Sequence, residues 1–218
     1  MIEKKRPPLY IFYLISIGVI AVDQLVKLAV HFNMVKGTKG QIYIFGDWFK
    51  LHYLTNPGMA FGMQIDFLDH GKLVLSVFRL AAMFAIGYYL FLLYKKHTNT
   101  GLLICIAMIL GGAIGNLLDS IFYGVFLDNA PYDAPTPWFY GEVVDMFYID
   151  IWEGRLPDWI PFIGGDYMAL WPVFNVADAA IFLGITFILI FQKRYFGHEL
   201  AEHSDEEMDI AAESGELN

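Results

Sequence analysis

One cysteine, Cys105, in 218 residues excludes an intramolecular disulfide framework and any cysteine-based metal cluster. Charge is scarce as well. Charged residues make up 17% of the chain against 57% hydrophobic ones, with a mean hydropathy of +0.48, a balance that suits a membrane protein and not a soluble globule. There is no HExxH, and His31, His52, His70, His97, His198 and His203 fall in loops or flanks of the apolar runs, so a zinc peptidase is unsupported. Ser16, Ser76 and Ser120 have no histidine within a helical turn, which weakens a serine nucleophile. Gly111-Gly112-Ala113-Ile114-Gly115 lacks the strand and lysine of a phosphate loop and reads as a close helix-packing stripe. No internal repeat is visible, so an inverted-repeat transporter lacks its usual sign.

The net charge of −9 is unevenly spread. All 14 Lys and Arg and 15 of the 23 acids precede Glu199, and the other 8 acids follow from it. The body, 1–198, is nearly neutral, while 199–218 is an acidic tail expected to be disordered and cytoplasmic. Neither part carries a basic footprint for nucleic acid.

A helix needs about 20 mostly apolar residues to cross about 30 Å of hydrocarbon. Four stretches meet or approach this, at about 9–30, 73–94, 101–120 and 170–192. The first follows Lys4-Lys5-Arg6 and has Ala21 as a candidate cleavage point, but its apolar run exceeds a signal core, so an uncleaved anchor is expected. The basic clusters Lys4-Lys5-Arg6, Lys95-Lys96 and Lys193-Arg194 all fall on one side of a four-span chain. The excess of cations in short cytoplasmic segments then places both termini in the cytoplasm. The segments near 31–72 and 121–169 face the other compartment. In the first, Gln41–Phe45 and Trp48–Leu54, split by Gly46-Asp47, predict a small surface sheet. The second, with Pro131, Pro135, Pro137, Pro157 and Pro161 among its tryptophans, predicts an irregular cap. The expected fold class is thus an all-α membrane protein with four transmembrane helices, a small external β-sheet and this cap.

Ionisable residues inside apolar helices are costly, so each asks for a partner or a task. Asp23 with Lys27, Asn116 with Asp119 and Asn175 with Asp178 are spaced by four or three, so each pair shares a helix face. Asp23 lies about 21 Å of rise from Leu9, near the external end of its helix. The other two pairs lie at the same boundary. Asp23 with Lys27 also reads as an interfacial ion pair, Asn116 and Asn175 as interhelical glue, and Asp119 or Asp178 as a helix cap. These readings explain poorly why three helices place carboxylates at one depth. Two close carboxylates share a proton, and such a pair can activate water and protonate a leaving amine. Spacing alone favours Asp119 with Asp178 for this pair in a membrane-embedded aspartyl hydrolase. A proton-coupled transporter or a non-catalytic assembly factor are the rival classes; the former needs a polar path to the cytoplasm.

Five ordered segments then carry a resemblance: Asp23-Gln24-Leu25-Val26-Lys27, Asn56-Pro57-Gly58-Met59-Ala60-Phe61-Gly62, Gly111 to Asp119, Val143-Val144-Asp145-Met146-Phe147 and Phe174-Asn175-Val176-Ala177-Asp178. Together they resemble the bacterial lipoprotein signal peptidases, or signal peptidase II. The resemblance implies cleavage of prolipoproteins just before a diacylglyceryl-modified cysteine, by two aspartates, with no metal or other cofactor. It implies Asp145 and Asp178 as the catalytic pair, with Asp119 and Asn116 supporting. Asn175 would hold a catalytic carboxylate or the substrate backbone, Asp23 and Asn56 would position substrate, and Ala177 would leave room for the scissile segment. Lys27 and Gly58, within the same motifs, would bind substrate or support the site. The implied partners are the prolipoprotein and membrane lipids. The expected place is the bacterial inner membrane, with a monomer working near its periplasmic face.

Two departures stand out. The family usually has Arg directly after the aspartate that aligns with Asp119, where this chain has Ser120; Arg155 is the candidate replacement. The 25 residues between Asp119 and Asp145 also exceed the family's usual spacing. No motif reaches the acidic tail. Deleting the residues after His198 is therefore expected to leave cleavage of a lipidated precursor intact in membranes; a truncated chain that inserts normally and no longer cleaves would tie the tail to the enzyme.

Overall fold

The computed structural model describes residues 6–57, 71–160, 164–165 and 167–196. Gly58 and the rest of its motif after Pro57, and the acidic tail, lie outside these residues. Among the described residues, three helices are long and apolar enough to cross a membrane: α1 (Leu9–Asn33), α2 (Gly71–Lys95) and α3 (Thr100–Leu118). They cover the first three apolar runs. Asn99 starts α3 by accepting from the Gly101 N–H, an N-cap of the usual kind. Past Leu118 the helix continues through a π-helical turn, Asp119–Tyr123, into the short α4 (Gly124–Phe126).

The fourth apolar run departs from its expected bounds of 170–192. Helix α5 spans Val176–Ile190, 15 residues, or about 22 Å of rise. Pro172 has no N–H to give a helix, and Asn175 and Asp178 form a reciprocal capping box, so the helix starts six residues late. Phe174 instead bridges in extended form to Phe147.

The expected hairpin forms β1 (Ile42–Phe45) and β2 (Phe49–Asn56), turning at Gly46 with φ of 52°. The cap is less irregular than its prolines predict. Val143–Ile149 forms β3, which pairs antiparallel with β2 and completes a sheet of order β1-β2-β3. Val143, Val144, Phe147, Tyr148 and Ile149 favour a strand, and five of its seven residues are buried. A second antiparallel pair joins β4 (Glu153–Arg155) to β5 (Tyr167–Ala169), while residues 127–142 form no strand or helix.

Helix α3 is the axis of the bundle, in contact with α1, α2 and α5. Half of its apolar span is buried in the protein, against 17% for α1 and 11% for α2. Its glycine stripe explains the closeness. A methyl on Gly112 would run into the Ala177 carbonyl of α5, and one on Gly111 would stand 2.8 Å from the Ser16 carbonyl of α1. One apolar cluster (Phe12, Leu90, Leu102, Leu103, Leu110) ties α1, α2 and α3. A second (Val30, Tyr53, Tyr123, Val144, Met146) seats the sheet on the ends of α1 and α3. Phe78, Phe84 and Leu189 point outward and exposed, as suits helices whose surroundings are lipid.

Gly112→Ala is expected to force α3 and α5 apart and cost about 1–3 kcal/mol, read as a lower Tm in detergent. Gly18→Ala, where nothing lies within 4 Å, is the control and should hold or raise Tm.

Candidate active site

Two layers of polar side chains meet where α1, α3 and α5 approach β3. The deeper one centres on Lys27, fully buried on the face of α1 that also carries Asp23. Its Nζ lies 2.7 Å from Asp23 Oδ2 and 2.7 Å from Asp119 Oδ2, and donates to Asn116 Oδ1 at 2.9 Å. The carboxylates reach further. Asp23 Oδ1 accepts the Ala177 N–H at 2.8 Å, and Asp119 Oδ2 accepts the Val144 N–H at 3.2 Å. Gln24 Nε2 donates to Asp119 Oδ1 at 2.9 Å and to the Gly115 carbonyl, and Tyr123 Oη donates to Gln24 Oε1. The π-turn brings Asp119, Ser120 and Tyr123 inward together.

The shallower layer holds two carboxylates on amides. Asp145 on β3 accepts from Asn175 Nδ2 on Oδ1 at 2.7 Å and from Asn56 Nδ2 on Oδ2 at 3.2 Å. Pairing of Leu54 with Asp145 and Asn56 with Val143 in the sheet puts Asn56 beside it. Asp178, in the first turn of α5, accepts from Asn116 Nδ2 at 2.8 Å on Oδ1 and from the Asn175 N–H at 3.3 Å on Oδ2. Asn175 Oδ1 accepts the Asp178 N–H, and Asn175 Nδ2 also lies 3.1 Å from Asn116 Oδ1. Asn175 thus touches both carboxylates.

Asp145, Asp178, Asn56 and Asn116 line one cavity of about 670 Å³, with Arg79 of α2 and an apolar wall that includes Trp171, Phe174, Phe182 and Leu183. Burial, with a smaller push from Asp178, raises the Asp145 carboxyl to about 7. Two carboxylates in one largely apolar cavity, one of them able to hold a proton at neutral pH, form an acid and base pair in the chemical sense. Among the described residues, no group of three or more His, Cys, Asp or Glu converges as a metal site.

The expected residues therefore divide. Asn56, Asn116, Asp145 and Asp178 face the cavity, while Asn175 is fully buried behind it, joining the two carboxylates. Asp23, Lys27 and Asp119 are fully buried outside the cavity lining. Asp119, the partner that spacing favoured for Asp178, is engaged by Lys27, and the carboxylate that shares the cavity with Asp178 is Asp145. Ala177 is buried against Gly115 and gives its N–H to Asp23. Arg155 sits exposed on β4, outside the lining, and the cation that reaches Ser120 is Arg79, whose Nη1 donates to Ser120 Oγ at 3.1 Å. Sequence reasoning passed over Arg79, although a lone arginine in an apolar run is a functional signal by itself.

The fold resembles two solved structures, each described as that of a bacterial membrane enzyme. One, described as "Bacterial membrane enzyme structure by the in meso method at 1.9 A resolution", matches with a TM-score of 0.55 and 22% identity over 82% of this chain and 90% of that one. The lipoprotein signal peptidase of Amoebophilus asiaticus is 47% identical over 90% of this chain and 86% of its own length. That of Porphyromonas gingivalis is 40% identical over 78% and 77%, and that of Chlorobaculum parvum 32% identical over 85% and 96%. The family model for signal peptidase (SPase) II matches residues 15–193, a stretch that takes in both polar layers and the cavity between β3 and α5, and on that match this chain belongs to the signal peptidase II family.

Proposed function

We propose that the chain is a membrane-embedded aspartyl endopeptidase that removes signal peptides from diacylglyceryl-modified prolipoproteins, cleaving before the lipidated cysteine. The observation that carries this reading is the pair Asp145 and Asp178, the first held by Asn56 and Asn175 and the second by Asn116 and Asn175, in a cavity with one polar side and one apolar wall. The lipoprotein signal peptidases among its relatives supply the substrate class.

In this reading α5 is the fourth span, both termini are cytoplasmic, and the enzyme acts as a monomer near the periplasmic face of the bacterial inner membrane. Charge bias supports this orientation. The precursor comes in sideways from the bilayer, its acyl chains along the apolar wall by Phe182 and Leu183. Its backbone lies across Asn56 and Asn116. Asp145 carries the proton shared by the pair and polarises the scissile carbonyl, while ionised Asp178 takes a proton from water. The water oxygen bonds to the carbonyl carbon. The leaving amine then takes a proton as the C–N bond breaks, and the pair returns to one proton. No metal or organic cofactor takes part in these steps.

Incubation of the purified protein with a diacylglyceryl-modified precursor tests the reading. Asp145→Asn and Asp178→Asn are each expected to lower kcat about 10³-fold or more with membrane insertion unchanged. Normal cleavage by Asp145→Asn would remove it from the pair, and loss confined to Asp119→Asn would restore Asp119.

The pH profile tests the proton's place. With Asp145 raised to about 7, the protonated form prevails below that pH, so kcat/KM should fall as pH rises through about 7. A profile flat to about pH 9 would move the proton off Asp145. The linked effect on stability has the same sign, since the extra proton bound by the folded state favours folding at low pH and is lost as pH rises through 7.

A further inference from the structure

Arg79 is the ninth of the 25 residues of α2, inside the second apolar run. It is the one residue that α2 gives to the lining of the cavity shared by Asp145 and Asp178. Its guanidinium spans the gap between helices to reach the π-turn of α3, where Ser120 Oγ accepts from Nη1 at 3.1 Å. Ser120 is itself buried and donates back to the Asn116 carbonyl at 3.2 Å, so the hydroxyl that holds Arg79 is fixed by the helix carrying Asn116. The neighbouring cation, Lys27, does not serve the cavity. Its Nζ is taken by Asp23, Asp119 and Asn116, and it lies outside the lining. A guanidinium offers a planar fork of donors suited to carbonyl and carboxylate oxygens.

We propose that Arg79 is a substrate-positioning residue: from α2 it donates to a backbone carbonyl of the precursor laid across the cavity, in place of an arginine at position 120 on α3. The assignment rests on the peptidase reading above. Position 120 carries a short hydroxyl because the guanidinium comes from across the helix interface, and a long side chain there would compete for the same space. Ser120 then orients the guanidinium and does not itself meet substrate. The two positions form one functional unit, which gives the proposal a readout that simple packing would not move.

The test uses the full-length protein in detergent micelles and a diacylglyceryl-modified precursor peptide, with kcat and KM for Arg79→Gln, Arg79→Lys, and Arg79→Gln combined with Ser120→Arg. Loss of a charge-assisted hydrogen bond should lower kcat/KM about 10- to 100-fold in Arg79→Gln. Arg79→Lys should fall between this and the parent, since it keeps the charge and loses the fork. Adding Ser120→Arg to Arg79→Gln should recover about tenfold or more, by restoring a guanidinium from α3. Arg79→Gln within about twofold of the parent in kcat/KM, or an unrecovered loss matched by a fallen Tm, would overturn the proposal. Should Arg79→Gln not fold, Arg79→Lys decides: a raised KM in a folded protein supports it, and parent-like kinetics overturn it. Failure of the peptidase reading looks different, because the parent would then leave the precursor uncut or Asp145→Asn would cut it normally.

Discussion

The site depends on keeping one buried ammonium ion satisfied. Lys27 has no contact with solvent, and a charge so placed is tolerable only with partners at close range. Asp23, Asp119 and Asn116 provide them, all within 2.9 Å. Removing one partner of such a pair typically costs about 3–5 kcal/mol, so the cluster holds its helices in one arrangement. The partners also hold more than Lys27. Asp23 takes the Ala177 N–H of α5 and Asp119 the Val144 N–H of β3, so α1, α3, α5 and the sheet are tied to one cation.

This cluster divides the labour among four carboxylates. Asp23 and Asp119 have both oxygens engaged within the deep layer. Asp145 and Asp178 meet mainly neutral amides, which orient a carboxylate without neutralising it. Asn116 joins the layers, accepting from Lys27 on its oxygen and donating to Asp178 from its nitrogen, and so its orientation is set by its neighbours. The geometry of the cavity is thereby inherited from the buried ion cluster.

Close backbone approach completes the arrangement. The Gly111, Gly112 and Gly115 stripe lets α3 lie against both α1 and α5; a methyl on Gly115 would stand 2.7 Å from Asp23 Oδ2. The π-turn at Asp119–Tyr123 carries this contact onward, with Asp119, Ser120 and Tyr123 on its buried face.

Much of this was legible in the chain. Hydropathy located three long helices, β-branched and aromatic runs located β1 and β2, and spacings of three and four paired Asp23 with Lys27, Asn116 with Asp119 and Asn175 with Asp178, because these are local regularities of a helix or strand. Residue type also required that buried charges be partnered. The choice of partner was not local. A hydropathy window passes over Pro172 and the Asn175 cap, so the start of α5 was read six residues early, and the prolines of the cap hid β3. Spacing grouped Asp119 with Asp178, whereas the sheet carries Asp145 back across 89 residues of chain to Asn56. Arg79 meets Ser120 from 41 positions away. The sequence by itself determined which residues were too costly to bury alone. Only the tertiary structure decided which of them neutralise one another and which are left facing a cavity, because that depends on long-range contacts that no periodicity encodes.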